Sequence, residues 1–137
     1  MTSTAVNFAP APSSLPVLLI EDEPAVMELL RTTLERSGYR VMCSGSGLEG
    51  LRLLQSEEFL GVVSDMRTPG GIDGADVHAW IAQYRPDLAS KIVLITGDIA
   101  DEQTVTKLRK TGAPWVEKPF GVQQLISVVQ QTIGKAL

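Results

Sequence analysis

The chain has little of several features that would each point to a particular class of protein. It has one cysteine, Cys43, which excludes a disulfide framework and favours a reducing compartment. No apolar run approaches the roughly 18 residues that span a bilayer, so we expect no membrane insertion. Positive charge is not in excess: the formal net charge is −4, so we expect no direct nucleic-acid binding. Residues 1–20 carry no charged side chain, so the basic start of a signal peptide is missing and we expect a cytoplasmic location.

The remaining composition is typical of one folded domain that follows a tail. Of the 137 residues, 44% are hydrophobic and 20% are charged, as in an ordinary globular domain. Residues 1–14 are rich in Ala, Pro, Ser and Thr, a composition that buries little and prefers extended conformations. We therefore predict a flexible tail or linker at residues 1–14 and the folded domain at residues 15–137.

From Leu15 onward, short apolar runs alternate with segments of helical periodicity. The runs lack polar alternation, which is typical of strands that are buried on both faces. The predicted strands lie within PVLLIED, YRVMCS, FLGVVSD, KIVLITGD and PWVEKPF, and a helical pattern follows each of them. Five such units predict an α/β fold whose parallel sheet is covered by helices on both sides.

The apolar positions of the helices predict which faces meet the sheet. The expected inner faces are Val26, Leu29, Leu30, Thr33 and Leu34 in the first helix, and Val122, Leu125, Ile126, Val129 and Ile133 in the last. The fourth helix, within residues 100–111, offers only Val105 and Leu108, so we expect it to be loosely held. Asp73 and Asp76 have the spacing of an N-cap residue and its partner at the start of the third helix.

Acidic, hydroxyl and basic residues follow four of the predicted strands. They are Glu21 and Asp22, Asp65, Thr96 and Gly97, and Lys118, after the first, third, fourth and fifth strands respectively. Each alone is more often a capping, turn or loop residue than a functional one. In an open parallel sheet, however, the carboxyl ends of the strands lie at one edge, where binding sites form. The coincidence of four strand ends therefore predicts a site there.

The charges at this predicted site indicate its chemistry. Three carboxylates and one lysine sum to a formal charge of −2, so either the carboxyl pKa values rise or a cation is present. Oxygen ligands without paired His or Cys favour a hard ion, Mg²⁺ (or Mn²⁺). With a hydroxyl group and a mobile ammonium group, these are the parts that phosphoryl transfer needs, and Asp65 is the best candidate nucleophile.

At these residues the sequence resembles the receiver domain of two-component response regulators. The motifs that carry the resemblance are VLLIEDEP, VVSDMRTPGGIDG, IVLITGD and EKPF, and the resemblance covers Pro16 to Ile133. It implies a flavodoxin-like three-layer fold with five strands in the order 2-1-3-4-5. It also implies phosphorylation by a partner histidine kinase or histidine phosphotransfer protein.

The resemblance further implies a role for each site residue. Asp65 would be the phosphoacceptor, and the metal ligands would be Glu21, Asp22, Asp65 and the backbone carbonyl of Arg67. Thr96, Gly97 and Lys118 would bind the phosphoryl group, and Thr96 and Trp115 would be the switch residues. Their movement would change the face formed by the fourth helix, fifth strand and fifth helix, through which a homodimer could form. The downstream protein partner stays open, and the chain could equally be a stand-alone regulator or a receiver from a hybrid sensor kinase.

The sequence also departs from the common receiver pattern. Glu21 replaces the commoner Asp, Thr68 stands where Met is usual, and the PGGIDG loop is one residue longer than the common one. Trp115 is bulkier than the usual switch aromatic. Arg67 and Asp98 each lie two residues beyond a site residue, and we hypothesise an ion pair between them across the mouth of the site.

Three other functions have partial support in the sequence. Gly45, Gly47 and Gly50 match the G-x-G-x-x-G dinucleotide motif. The distance from Gly45 to Asp65 is only roughly 20 residues, which is shorter than the βαβ unit that such a motif spans. We therefore interpret these glycines as loosening a surface turn. An aspartyl-nucleophile phosphatase would need a second acid at the position that Arg67 occupies. A phosphorylation-independent pseudo-receiver remains an alternative, although the main site positions carry workable chemistry.

Overall fold

Five short strands and five helices alternate along residues 15–136, the part of the chain that the structure, a computed structural model, describes. The strands are β1 (Val17–Ile20), β2 (Val41–Ser44), β3 (Gly61–Asp65), β4 (Ile92–Thr96) and β5 (Trp115–Glu117). The helices are α1 (Pro24–Arg36), α2 (Gly47–Ser56), α3 (Gly74–Tyr84), α4 (Glu102–Thr111) and α5 (Val122–Ile133). The predicted alternation is confirmed. The predicted tail, residues 1–14, lies outside the described residues, and the domain boundary at residue 15 stays a prediction.

The strands form one parallel sheet in the order β2-β1-β3-β4-β5. The flavodoxin-like order that the resemblance implied is therefore confirmed. In this register Asp65 pairs with Ile95, and Thr96 pairs with Glu117. The last residues of β3 and β4 consequently lie side by side at the carboxyl edge of the sheet.

Two hydrophobic layers cover the two faces of the sheet, as the strands' wholly apolar runs predicted. Along β1, Val17 and Leu19 belong to one layer, and Leu18 and Ile20 belong to the other. Residues of α1 and α5 complete the first layer, and residues of α2, α3 and α4 complete the second. No helix within residues 15–136 is both long and apolar enough to cross a membrane.

Polar side chains cap the N-termini of α3 and α4. Asp73 caps α3: its side chain accepts a hydrogen bond from the Asp76 amide at 2.8 Å, and the Asp76 carboxylate accepts one from the Asp73 amide at 2.9 Å. This reciprocal capping box confirms the predicted start of the third helix. Asp101 caps α4, and Gly112, with φ of 70°, ends it in the left-handed conformation that favours glycine.

The prediction of a buried inner face is wrong at two residues. Leu29 of α1 and Val122 of α5 are each 50% exposed. Helix α1 buries only Leu30, Thr33 and Leu34, a stripe too narrow to include the neighbouring Leu29. Val122 is the first residue of α5, and the buried stripe of that helix begins one turn later.

The glycines of the dinucleotide-like motif also differ from their predicted role. Gly47 and Gly50 are buried, so they do not loosen a surface turn. A Cβ atom on Gly47 would lie 2.7 Å from the carbonyl oxygen of Ile72, and one on Gly50 would lie 2.5 Å from Cδ1 of Ile20. Of the three glycines in the motif, only Gly45 has open space around it. Gly47 and Gly50 are needed because α2 packs closely against the loop before α3 and against β1.

Candidate functional site

The predicted site residues come together in one cleft at the carboxyl edge of the sheet. Asp65 and Thr96 are the last residues of β3 and β4, while Asp22 follows β1 and Lys118 follows β5. All four line a cavity of about 500 Å³, together with Gly97 and the predicted ligand residue Arg67. The sheet topology therefore juxtaposes residues that lie far apart in the sequence.

Two carboxylates that line the cleft, Asp22 and Asp65, form an acidic cluster with Glu21, which is not among the residues that line the cavity. One oxygen each from Glu21, Asp22 and Asp65 lies within 4.8 Å of the others. Glu21 is fully buried and Asp65 is 6% exposed, whereas Asp22 is exposed to solvent. A set of oxygen donors without His or Cys suits a hard divalent cation such as Mg²⁺. The residues present therefore fit the metal that the sequence predicted.

Lys118 neutralises part of this charge. Its Nζ atom lies 3.3 Å from Oε1 of Glu21 and 3.3 Å from Oδ1 of Asp65. The other oxygen of Glu21 accepts a hydrogen bond from the Glu23 amide at 3.1 Å. The Lys118 amide donates to the Thr96 carbonyl at 2.7 Å, which fixes the start of the Lys118 side chain beside β4. The fully buried Glu21 carboxylate thus has two partners.

Burial and crowding perturb the proton equilibria of the cleft. Desolvation and, next, the neighbouring Glu21 carboxylate raise the pKa of Asp65 to about 6, although the ammonium group of Lys118 acts in the opposite direction. Burial alone would lower the pKa of Lys118, but Asp65 and Glu21 outweigh it, so that pKa lies above its usual value. Lys118 is therefore held as a cation beside a carboxylate that is costly to ionise.

The two predicted switch residues lie on adjacent strands. Thr96 is buried, and its hydroxyl oxygen accepts a hydrogen bond from the Asp98 amide at 3.1 Å. Trp115 is half-buried on β5, where it pairs with Leu94 and packs against the hydrophobic layer of α2, α3 and α4. Because the Thr96 hydroxyl only accepts in this contact, its proton is free to be donated to a second partner in the cleft.

The hypothesised ion pair at the cleft mouth is confirmed. The Arg67 guanidinium contacts the Asp98 carboxylate and so joins the loop after β3 to the loop after β4. Sequence reasoning missed a second ion pair between the same two regions, in which Nζ of Lys107 lies 3.1 Å from Oδ2 of Asp73. Asp73 has the sequence pattern of an N-cap, but no sequence signal points from it to a lysine on α4.

Comparison with known proteins agrees with this arrangement. The sequence model described as "Response regulator receiver domain" matches residues 17–130. The chain belongs to this family. It is a receiver domain of the kind that response regulators use in two-component signalling.

Relatives of this receiver domain include larger regulatory proteins. The C4-dicarboxylate transport transcriptional regulatory protein DctD of Pseudomonas aeruginosa is 33% identical over 127 residues, which are 92% of this chain and 27% of that protein. The transcriptional regulatory protein GlrR of Escherichia coli is 35% identical over 91 residues, which are 66% of this chain and 20% of that protein. The receiver domain thus spans no more than 27% of either relative.

Solved structures share the same architecture. The receiver domain of a signal transduction histidine kinase from Syntrophus aciditrophicus superposes with a TM-score of 0.79 at 28% identity, covering 87% of this chain and 89% of that chain. A receiver domain protein from Methanospirillum hungatei superposes with a TM-score of 0.77 at 24% identity, covering 88% and 94%. The latter similarity supports the fold alone.

Proposed function

We propose that this receiver domain accepts a phosphoryl group on Asp65 from a phosphohistidine of a histidine kinase or histidine phosphotransfer protein. The observation that carries the proposal is the position of the Asp65 carboxylate, which clusters with the carboxylates of Glu21 and Asp22 and lies 3.3 Å from Nζ of Lys118. A nucleophile, a cation-binding acidic cluster and a fixed ammonium group are the parts that phosphoryl transfer requires.

In the proposed transfer, a carboxylate oxygen of Asp65 attacks phosphorus as the phosphorus–nitrogen bond of the donor breaks. The bond's electron pair stays on the departing imidazole, and an acyl phosphate forms on Asp65. Lys118 then neutralises charge on the phosphoryl oxygens, and the Thr96 hydroxyl donates to one of them while still accepting from the Asp98 amide. The Gly97 position beside them has no side chain to obstruct the group.

Glu21, Asp22, Asp65 and the Arg67 backbone carbonyl would hold a divalent cation, Mg²⁺ or Mn²⁺. When bound, this cation supplies positive charge that screens the acidic cluster from the incoming phosphoryl group. We propose that movement of Thr96 towards the phosphoryl group and repacking of Trp115 then alter the face formed by α4, β5 and α5, which could also pair two copies. Cytoplasmic location remains a prediction from the sequence.

Intact-mass measurement after incubation with acetyl phosphate tests the proposal. With Mg²⁺ the protein should gain one phosphoryl group, and both Asp65→Asn and removal of Mg²⁺ by a chelator should abolish the gain. Asp98→Asn is the matched control, because it replaces a carboxylate of the same cleft outside the acidic cluster and should still be phosphorylated. No gain in the wild-type protein would favour a phosphorylation-independent binding domain instead.

A further inference from the structure

Helix α4 is attached to the domain by very few apolar contacts. Leu108 is its only fully buried residue, and Val105 is half-buried, as the sequence predicted. A cleft of about 200 Å³ opens between α3 and α4, lined by Ala75, His78, Ala79, Lys107, Lys110 and Thr111. With so little buried apolar surface, the position of this helix must depend on other contacts.

One such contact is the ion pair between α4 and the start of α3. Nζ of Lys107 lies 3.1 Å from Oδ2 of Asp73, across 34 residues of sequence. The side chain of Asp73 is 23% exposed, whereas that of Lys107 is 58% exposed. The hydrogen bond that Lys107 donates to the Asp73 carboxylate raises the pKa of Lys107, so the lysine remains charged at neutral pH.

Asp73 is fixed with respect to the phosphoacceptor strand. Its carboxylate takes part in the capping box of α3, and the amide of the next residue, Gly74, donates to the Met66 carbonyl at 2.9 Å. A Cβ atom on Gly74 would lie 2.8 Å from the carbonyl oxygen of Asp65. The residue that follows the anchor of the ion pair, Gly74, therefore packs closely against the backbone of the residue that would carry the phosphoryl group.

The Arg67–Asp98 and Asp73–Lys107 ion pairs flank a second cleft. This cleft, of about 410 Å³, is lined by Met66, Arg67, Thr68, Gly71, Asp73, Asp101, Thr104 and Lys107. On one side lies the chain that follows β3, and on the other lies α4 with the loop that precedes it. Two ion pairs thus bridge the two sides, in addition to the apolar packing of Leu108 in the hydrophobic layer that also contains Met66.

We propose that the Asp73–Lys107 ion pair is an electrostatic latch that holds α4 in its unphosphorylated position. This inference rests on the proposed function, because the latch opposes the change that we propose for the face formed by α4, β5 and α5 after phosphorylation of Asp65. Breaking the latch lowers the free energy needed to move α4 and raises the population of the switched conformation before any phosphoryl group arrives. Because the pair is partly exposed, added salt weakens it.

Hydrogen exchange of the α4 amides tests the latch directly. Lys107→Ala and Asp73→Asn should each raise exchange within α4 by ~2- to 5-fold, the size expected for a partly exposed ion pair. Asn preserves the N-cap of α3, so α3 itself should not open. Lys110→Ala, which also removes a positive charge from α4, is the matched control and should leave exchange unchanged.

The double variant separates a direct contact from two unrelated effects. If the two side chains act as one latch, the double variant should exchange no faster than either single variant. High salt should raise exchange in the wild-type protein and leave Lys107→Ala almost unaffected. Wild-type exchange rates in both single variants, or additive effects in the double variant, would overturn the proposal.

The rate of phosphorylation by acetyl phosphate tests the regulatory role. Lys107→Ala should be phosphorylated ~2- to 5-fold faster than the wild-type protein, in proportion to the larger switched population, and Lys110→Ala should match the wild type. If the wild type is phosphorylated but Lys107→Ala is phosphorylated no faster, the latch does not regulate the site. If the wild type is not phosphorylated at all, the proposed function itself fails, and the exchange data still show whether the ion pair restrains α4.

Discussion

Replacing the buried carboxylate of Asp65 should make the metal-free domain more stable. Desolvation and the Glu21 carboxylate raise the pKa of Asp65 from 3.8 to about 6. Keeping Asp65 ionised in the folded state at neutral pH therefore costs free energy of folding. Asp65→Asn removes the charge while keeping nearly the same shape. We therefore expect a higher free energy of unfolding for the variant in buffer that contains a chelator.

The shift in pKa sets the upper limit of this gain. At ~1.36 kcal/mol per pKa unit, a shift of about two units corresponds to about 3 kcal/mol. Part of this is offset because the Asn side chain loses the charge of its contact with Lys118 and because solvent reaches the open cleft. The expected gain is therefore about 1–2 kcal/mol at pH 7.5.

The sign of the pH dependence is fixed by the direction of the shift. At Asp65 the folded state binds more protons than the unfolded state between the two pKa values, so the contribution of Asp65 to wild-type stability falls as pH rises from 3.8 to about 6. The advantage of Asp65→Asn should accordingly be smallest near pH 4, grow up to about pH 6 and stay constant above it.

Urea unfolding at several pH values measures this difference. Glu117→Gln, which replaces an exposed carboxylate on β5 outside the acidic cluster, is the control and should change stability by less than about 0.5 kcal/mol. Mg²⁺ should stabilise the wild type more than Asp65→Asn, because a cation that binds the folded state is linked to folding. An Asp65→Asn protein that is less stable than the wild type at pH 7.5 without metal would refute the reasoning.

Three further predictions concern contacts outside this carboxylate. Arg67→Ala, which breaks the ion pair with Asp98 at the cleft mouth, should change the lifetime of the phosphorylated protein measured by intact mass, and an unchanged lifetime would count against a role for that pair. Gly47→Ala should cost about 1–3 kcal/mol in urea unfolding, because its Cβ would meet backbone at 2.7 Å, whereas Gly45→Ala should cost almost nothing; equal effects would contradict the packing described here. Arg85→Ala should cost about 1–2 kcal/mol in the same assay, because Arg85 donates to the carbonyl of Leu54 near the end of α2 at 2.9 Å; a neutral effect would show that this contact contributes little.

The fold and the composition of the site could be predicted because both depend on local pattern and on one rule of topology. Apolar runs identified the strands. Because the carboxyl ends of parallel strands converge, the sequence also predicted that Asp65, Thr96 and Lys118 lie close together, and all three line the same cavity. The Arg67–Asp98 pair followed from the same rule, because both residues lie two positions beyond adjacent strand ends.

What the sequence could not reveal depends on contacts between elements. The partner of Lys107 lies 34 residues away, and an exposed lysine on a polar helix has no pattern that distinguishes it from Lys110. The close approach of Gly47 to Ile72 arises only when α2 packs beside the loop before α3. Likewise Leu29 has the periodicity of a buried residue, but the width of the stripe that α1 buries is set by the sheet beneath it.

The most direct test of the central claim is to locate the phosphoryl group after transfer from a phosphohistidine donor in the presence of Mg²⁺. Reduction of the phosphorylated protein with borohydride converts an aspartyl phosphate to homoserine, and peptide mass spectrometry then identifies the modified position. The account predicts homoserine at position 65 alone, and none when Mg²⁺ is withheld. Modification of Glu21, Asp22 or Asp98 with Asp65 intact would contradict the assignment of Asp65 as the phosphoacceptor.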